Sequence, residues 1–382
     1  MSDLSPLAAR LAATIAASGP MPFPSFMAAA LYDRQHGYYA NPNRTGRHGD
    51  FYTSVSTGPL FAHLLASQFT ELWESMGRPS PFHIVERGAN NADFAADVLS
   101  WSLTHRPDFH AAISYSIDEP LPSAASAQAA RLAPFPGKWQ HDSPSNVTGV
   151  FFANELLDAV PFRRVARRGN SWVERTVSLT PDGSFCWSDS PLLDRSTKSR
   201  LASLGDDFPD GYETEVAPAV ASEVRLAAAT IAHGALFFID YGFTASDYYL
   251  PERSTGTLRC YHHHKAHENP FDAIGDTDIT AHVDFSLAAS AARAAGCHVA
   301  AFLDQARFLT GAAASALAAL EGVRSPEASS WHRQFQSLTH PAHLGRSFQV
   351  LVLTKSPDPS PFTPPLSGLR FANPRSLAAL AG

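Results

Sequence analysis

Phe82-His83-Ile84-Val85-Glu86-Arg87-Gly88-Ala89-Asn90-Asn91-Ala92-Asp93 is the stretch that decides the fold. A short apolar run ends at an acid, a turn with one glycine follows, and a helical pattern then runs from Asp93 to Leu103. Ile113 to Asp118 repeats the arrangement, with a terminal acid and a helix predicted over 121–132. Gly149 to Ala153 and Ala235 to Asp240 read as a third and a fourth strand of the same kind. Short apolar strands alternating with helices specify a parallel sheet covered on both faces, hence an α/β fold.

The turn after the first strand of such a unit is where nucleotide cofactors bind. Backbone N–H groups and a helix N-terminus face the ligand there. In the spacing E-x-G-x-G-x-G, Glu86 and Gly88 fit, while Asn90 and Ala92 stand at the later glycine positions. Asp118 closes the second strand, where a carboxylate would accept hydrogen bonds from the two hydroxyls of a ribose. The two acids together point to a nucleoside ligand.

Phe151-Phe152-Ala153-Asn154-Glu155-Leu156-Leu157-Asp158-Ala159-Val160-Pro161 is a more unusual segment. Asn154 and Glu155 follow an apolar strand directly, and Asp158 comes three residues later. A helical turn starting there would put Glu155 and Asp158 on one face. Two carboxylates at a strand C-terminus suit a cationic group such as a guanidinium. Their other reading is the capping of a short helix.

Outward from this core, residues 1–80 read as helical over roughly 4–17, 24–34 and 59–76. Residues 162–190 alternate, with turn signals at Gly169-Asn170 and Asp182-Gly183, and predict antiparallel hairpins. Residues 243–285 are polar and read as long loops. A helix at 286–295, a strand at 297–303 and a terminal strand from Phe348 to Leu353 follow. The tail after Lys355 is rich in proline and is expected to be poorly ordered up to its last turn. The expected organisation is a helical segment over 1–80 packing on the core, a core over 81–355 with insertions at about 162–215 and 243–285, and a tail over 356–382.

The 382 residues carry 36 acidic and 29 basic side chains, a net charge of −7. That balance argues against a general nucleic-acid or anionic-membrane binder. No run of apolar residues is long enough for a transmembrane helix. Cys186, Cys260 and Cys297 are too scattered for a disulfide framework or a metal site of the CxxC kind. A reducing compartment follows. The N-terminus, with Asp3 and a single arginine at Arg10, is poor as a signal or transit peptide, so a cytoplasmic protein is expected. Leu7, Leu11 and Ile15 instead mark an amphipathic helix. His262, His263, His264 and His267 lie in a loop with Glu268 and no further acid or cysteine at ligand spacing, so no metal is expected. Asp278 or Thr280 reads either as the cap of the next helix or as part of a site with His282 and Asp284.

These segments resemble the MidA-type methyltransferases, a family related to the mitochondrial arginine methyltransferase that assists assembly of respiratory complex I. The resemblance runs from about Phe26 to Lys355. It is carried by Gly37-Tyr38-Tyr39, Gly49-Asp50-Phe51-Tyr52-Thr53, Asn154-Glu155-Leu156-Leu157-Asp158-Ala159, Asp240-Tyr241-Gly242, Gly256-Thr257-Leu258-Arg259-Cys260-Tyr261 and Asp278-Ile279-Thr280-Ala281-His282-Val283-Asp284-Phe285. It implies a class I, Rossmann-like methyltransferase sheet with S-adenosyl-L-methionine as cofactor. The implied acceptor is an arginine of a partner protein, such as a respiratory complex I subunit. On this reading Glu86, Gly88 and Ala89 pass beneath the amino-acid part of the cofactor, Asp118 binds the ribose, Asp142 sits near the adenine, and Gly49, Asp50 and Phe51 line the pocket. Asn154, Glu155 and Asp158 are the catalytic candidates. The departures from the family pattern are Asn90, Ala92, Asp93 and Phe94 in the turn and Asp118 where Glu is usual. They motivate one alternative, a methyltransferase-like fold that binds a partner but no cofactor; a methyltransferase acting on a small molecule or another residue type is the third reading.

Overall fold

The computed structural model describes residues 4–41, 44, 53–119, 122–263, 265–341, 344–358 and 363–381. The strand pattern read from the sequence forms one large sheet. Its order is His298–Asp304, Phe348–Lys355, Ile231–Phe243, Val147–Asn154, Phe82–Arg87, Ile113–Asp118 and Trp139–His141. All pairings among these strands are parallel except those of Phe348–Lys355, which runs antiparallel to both neighbours. The strand leading into the glycine turn, Phe82–Arg87, therefore lies between the strand ending at Asp118 and the strand ending at Asn154. The carboxyl ends of all three point the same way, which places a ligand crevice there.

Both faces of this sheet are buried, as near-continuous apolar strands require. Ile84, Phe152, Phe237 and Val350 face one side, against the helices Leu60–Ser75, Asp93–His105 and Gln305–Ala312. Val85, Phe151, Phe238 and Leu351 face the other, against Pro218–Thr230 and Phe285–Ala294. Phe152 sits centrally. Phe94 stacks on it at 4.1 Å and 12°, and Phe69 and Phe61 close around it at 6.1 and 6.5 Å.

The segment after Asn154 forms a second sheet. Its strands are Arg163–Arg168, Ser171–Leu179, Phe185–Pro191 and Glu213–Val216, paired antiparallel. Met21–Pro22 adds an edge strand against Val177 and Thr176, a place where proline's missing N–H costs nothing. The helices Pro6–Ser18 and Phe23–Tyr32 pack here rather than on the large sheet: Phe23 lies 5.3 Å from Phe162 and 4.8 Å from Trp187, ring to ring. Of the N-terminal helices, Leu60–Ser75 is the one on the large sheet.

Two expectations are corrected. The region 243–285 is not simply loop. It holds the short helix Ala245–Tyr248 and a three-stranded sheet of Lys265–His267, Arg259–His262 and Asp278–Thr280. The described part of the tail is anchored, with a helix at Pro374–Ala379. Glu71 accepts hydrogen bonds from Ser367 N and Oγ at 2.6 and 2.7 Å, Gln68 Oε1 accepts from Gly368 N at 2.7 Å, and Leu366 and Leu380 are buried. Among the described residues, no helix is long and apolar enough to cross a membrane.

Phe152→Ala would leave a void between the sheet and three aromatic neighbours. Such truncations cost about 3–5 kcal/mol. Chemical denaturation is expected to report a loss in that range; a loss under about 1 kcal/mol would contradict the packing described.

Candidate active site

The ends of four sheet strands open onto a cavity of about 650 Å³, within the usual size of small-molecule sites. One group of lining residues comes from the turn after the first strand: Glu86, Gly88, Ala89, Asn90, Asn91 and Asp93. The other comes from the end of the strand Val147–Asn154 and from the segments that cover it, and includes Asn154, Glu155, Asp158, Tyr241, Asp278 and His282.

The turn keeps the shape of a glycine-rich one with a single glycine. Gly88, Asn90 and Ala92 all have left-handed backbones, with φ of 73°, 49° and 61°. Asparagine tolerates this region well, whereas alanine at Ala92 costs about 1–2 kcal/mol. Gly88 leaves the cavity floor open, since a Cβ there would meet Leu156 Cδ1 at 3.0 Å. Asp93 does not plug the hollow: it pairs with Arg131 at 3.0 Å. Phe94 turns into the core against Phe152.

Asp118 and Asp142 do not line the cavity. Asp118 lies opposite Arg87 in register and pairs with it at 2.7 Å, while Ser143 Oγ donates to its other oxygen at 2.7 Å. The acid in the wall is the next one, Glu119, whose Oε2 accepts from Asn90 N at 3.1 Å. Side chains alternate along an extended chain, so pairing of Asp118 with the neighbouring strand turns its successor toward the ligand side. Asp142 accepts from Gln140 Nε2 at 2.6 Å. Gly49, Asp50 and Phe51 lie outside the described residues.

No helix begins after Asn154. Glu155 adopts φ 51°, its N–H donates to Ile239 O at 2.9 Å, and the chain turns. Asp240, near the carboxyl end of the adjacent strand Ile231–Phe243, holds this turn by accepting from Leu157 N at 2.7 Å and Asp158 N at 3.3 Å. Glu155 and Asp158 both reach the cavity without the helical face expected. Asn154 Nδ2 donates to Glu155 Oε1 at 2.9 Å, and Asn154 Oδ1 is buried with no hydrogen-bond partner among the described residues. Neither Glu155 nor Asp158 has an ion pair with a basic side chain among the described residues.

Burial dominates the electrostatics. Desolvation, reinforced by Asp158, pushes Glu155 up to about 8 despite the hydrogen bond from Asn154. Glu86 is likewise pushed up to about 8 by burial, against the stabilising hydrogen bond from Tyr115 OH at 2.6 Å. Asp240 reaches about 8 and Asp158 is raised, each first by desolvation and Asp158 further by Asp240 and Asp278. His282 moves the opposite way, down to about 4, through burial and the nearby Arg253 and Arg259. The site thus gathers carboxyl groups that burial and mutual repulsion keep from ionising, with Arg44 and Arg259 also in the cavity lining.

Sequence reasoning missed several wall residues. Tyr32 stacks on Tyr39 with rings 5.4 Å apart; their hydroxyls donate to Ala159 O at 2.8 Å and Asp278 Oδ1 at 3.1 Å. The helix Phe285–Ala294 is capped by Asp284, whose Oδ1 accepts from Leu287 N at 3.0 Å, and not by Asp278 or Thr280. Asp278 instead lines the cavity, its Oδ1 accepting from Tyr39 OH at 3.1 Å and from Ile279 N at 3.0 Å, a choice the spacing alone left open. Among the described residues no group of three or more His, Cys, Asp or Glu side chains could hold a metal ion.

Residues 64–303 match the family model described as "Putative S-adenosyl-L-methionine-dependent methyltransferase". The chain is 29% identical over 380 residues to the Drosophila melanogaster protein arginine methyltransferase NDUFAF7 homolog, mitochondrial, covering 91% of this chain and 84% of that protein. It is 28% identical over 307 residues to its Danio rerio counterpart, covering 72% and 69%. A crystal structure of a Burkholderia thailandensis protein bound to S-adenosyl-homocysteine superposes with a TM-score of 0.85 at 32% identity, over 96% of this chain and 95% of that one. The named relatives are mitochondrial, which overturns the expectation of a cytoplasmic protein. A poor N-terminal leader pattern is weak evidence on location.

The raised carboxyl groups fix a pH dependence. Glu86 and Glu155 hold protons in the folded, unliganded protein up to about 8, whereas the unfolded chain releases them near 4.5. Their contribution is complete below the unfolded value and is lost as pH rises through the folded one. Each uncompensated proton changes stability by about 1.4 kcal/mol per pH unit. The melting temperature of the unliganded protein should fall as pH rises from about 5 to about 8, with a shallower slope in Glu155→Gln. A profile that rises over that window would contradict these protonation states.

Proposed function

The chain belongs to this family of S-adenosyl-L-methionine-dependent methyltransferases, and we propose that it methylates an arginine side chain of a partner protein. Its cofactor is S-adenosyl-L-methionine, which supplies an electrophilic methyl carbon on a sulfonium centre. The residues present fit that group. The left-handed turn at Gly88, Asn90 and Ala92 presents backbone where the amino-acid part would rest, with Glu86 beside it. Glu119 takes the ribose position that the sequence pattern assigns to Asp118. The pairing of Asp93 with Arg131 offsets a negative charge that would otherwise oppose the cofactor carboxylate. A cofactor-free scaffold is not favoured, because the substituted turn keeps its backbone form and its hollow stays open.

The observation that carries the acceptor assignment is the half-buried Glu155 and buried Asp158, neither in an ion pair with a basic side chain among the described residues, beside Asn154 Oδ1, which has no hydrogen-bond partner there. A guanidinium is planar, keeps its charge when buried and offers several N–H donors, so it can meet both carboxylates and the amide oxygen together. Its arrival restores the ionised carboxylates, and charge-assisted hydrogen bonds in this dry site are strong. Tyr32 and Tyr39 supply aromatic surface for the aliphatic stem of the arginine. The chain's task is alignment: the reacting nitrogen must lie in line with the methyl carbon. A carboxylate oxygen of Glu155 would accept the proton that this nitrogen releases on gaining the methyl group, the S–CH3 bond breaking to leave a neutral thioether. Burial raises Glu155 to about 8, which suits a base working close to neutral pH. The names of the Drosophila and Danio relatives support a protein arginine as acceptor.

Transfer of radiolabelled methyl groups to an arginine-containing peptide library tests this. Glu155→Gln should lower kcat/KM by about a hundredfold or more, while Asp142→Ala stays near wild type. A wild-type rate in Glu155→Gln would sink the guanidinium assignment.

A further inference from the structure

We infer that Glu215, which does not touch the cavity, is a positioning residue for the acceptor wall, and that the inserted antiparallel sheet is the mount on which this wall is held. The inference rests on the arginine-acceptor reading and deepens it.

Glu215 lies on Glu213–Val216, the strand of the inserted sheet next to Arg163–Arg168, and is 2% exposed. Its Oε2 accepts from Thr257 N at 2.7 Å, from Thr257 Oγ1 at 3.1 Å and from Tyr248 OH at 3.4 Å. The Thr257 hydroxyl in turn accepts from His282 N at 3.0 Å. Thr257 and His282 both line the cavity. One residue before His282, Ala281 N donates to Asp158 O at 3.0 Å. A continuous path of short contacts therefore runs from Glu215 through Thr257 and the segment 281–282 to the backbone of an acceptor carboxylate.

The contact is close by design of the loop. Gly256 has φ 74°, and a Cβ there would stand 2.3 Å from Glu215 Oε1, so glycine lets the carboxylate lie against the chain. A second tie comes from the same insertion. Arg200, on Arg195–Ser203, pairs with Asp284 at 2.5 Å, and Tyr249 OH bridges Asp284 Oδ2 at 3.2 Å and Glu215 O at 3.4 Å. The segment from Asp278 to Asp284 is thus held on its outer side by the insertion and on its inner side by Asp158.

Burying a carboxylate is costly unless its hydrogen bonds are made. Here Oε2 makes them to the backbone and hydroxyl of a wall residue, while Oε1 is buried with no hydrogen-bond partner among the described residues, so removal of Glu215 leaves Thr257 N without its partner in a buried place. The consequence is a wall that shifts, and small displacements of positioning groups weaken acceptor binding. The glycine turn and Glu119 take no part in these contacts.

Glu215→Ala should raise the KM for arginine peptide about tenfold, with kcat within a few fold and binding of S-adenosyl-homocysteine unchanged. Glu215→Gln, whose carbonyl oxygen can still accept from Thr257 N, should fall between Ala and wild type. Amide hydrogen exchange should quicken in residues 278–284 of Glu215→Ala and stay the same in 86–92. If Glu215→Ala does not fold, Tyr248→Phe, which removes one donor of the network, should give a smaller KM rise of the same kind. Unchanged KM and exchange, or an equal loss of S-adenosyl-homocysteine binding, would overturn the inference. A wild-type protein that methylates no arginine peptide would sink the acceptor reading instead, and the exchange measurement would still decide the role of Glu215.

Discussion

Asp240 lies near the carboxyl end of the strand beside Val147–Asn154 and turns its side chain onto backbone amides of the neighbouring turn, at Leu157 and Asp158. The rest of the site depends on this constraint. It fixes a left-handed Glu155 at the mouth of the sheet and directs two further carboxyl groups into the cavity. Gathering acids in a dry cavity is unfavourable, and the raised positions of Glu155, Asp158 and Asp240 record that cost. The cost is recovered when a cation enters. A site of this kind is poorly suited to neutral or anionic acceptors and well suited to guanidinium.

Much of the fold was legible in the sequence, because buried parallel strands write themselves as apolar runs between helices. Phe82–Arg87, Ile113–Asp118 and Val147–Asn154 needed no tertiary information. The same reading placed Glu86, Gly88, Asn154, Glu155 and Asp158 at strand ends, where the cavity now has them. The errors have local causes. Asp118 was assigned to the ligand because it ends a strand, but the register puts it opposite Arg87, a cross-strand fact that spacing along one strand cannot show. The three-stranded sheet within 243–285 was hidden because its strands are three or four residues long and partly solvent-facing. The tail looked disordered because its prolines outweigh the few residues, Leu366, Ser367 and Leu380, that fasten it.

The glycine turn shows how far a motif can drift while its backbone persists. Conformation, not residue identity, is what a cofactor meets at such a turn. Asn90 and Ala92 keep the left-handed conformation at a modest energetic cost, and the surrounding structure supplies the compensation: Gln128 Nε2 donates to Asn90 O at 2.6 Å, and Glu119 accepts from Asn90 N. The inserted sheet takes up the N-terminal helices and, through Glu215, holds Thr257 of the cavity wall.

The account stands or falls on whether the space above Gly88 receives the cofactor product. A calorimetric titration of the purified protein with S-adenosyl-homocysteine measures this most directly. The account predicts one saturable site per chain, lost when Gly88→Val fills the floor against Leu156. Absence of heat at roughly millimolar ligand, or unchanged binding in Gly88→Val, would contradict it.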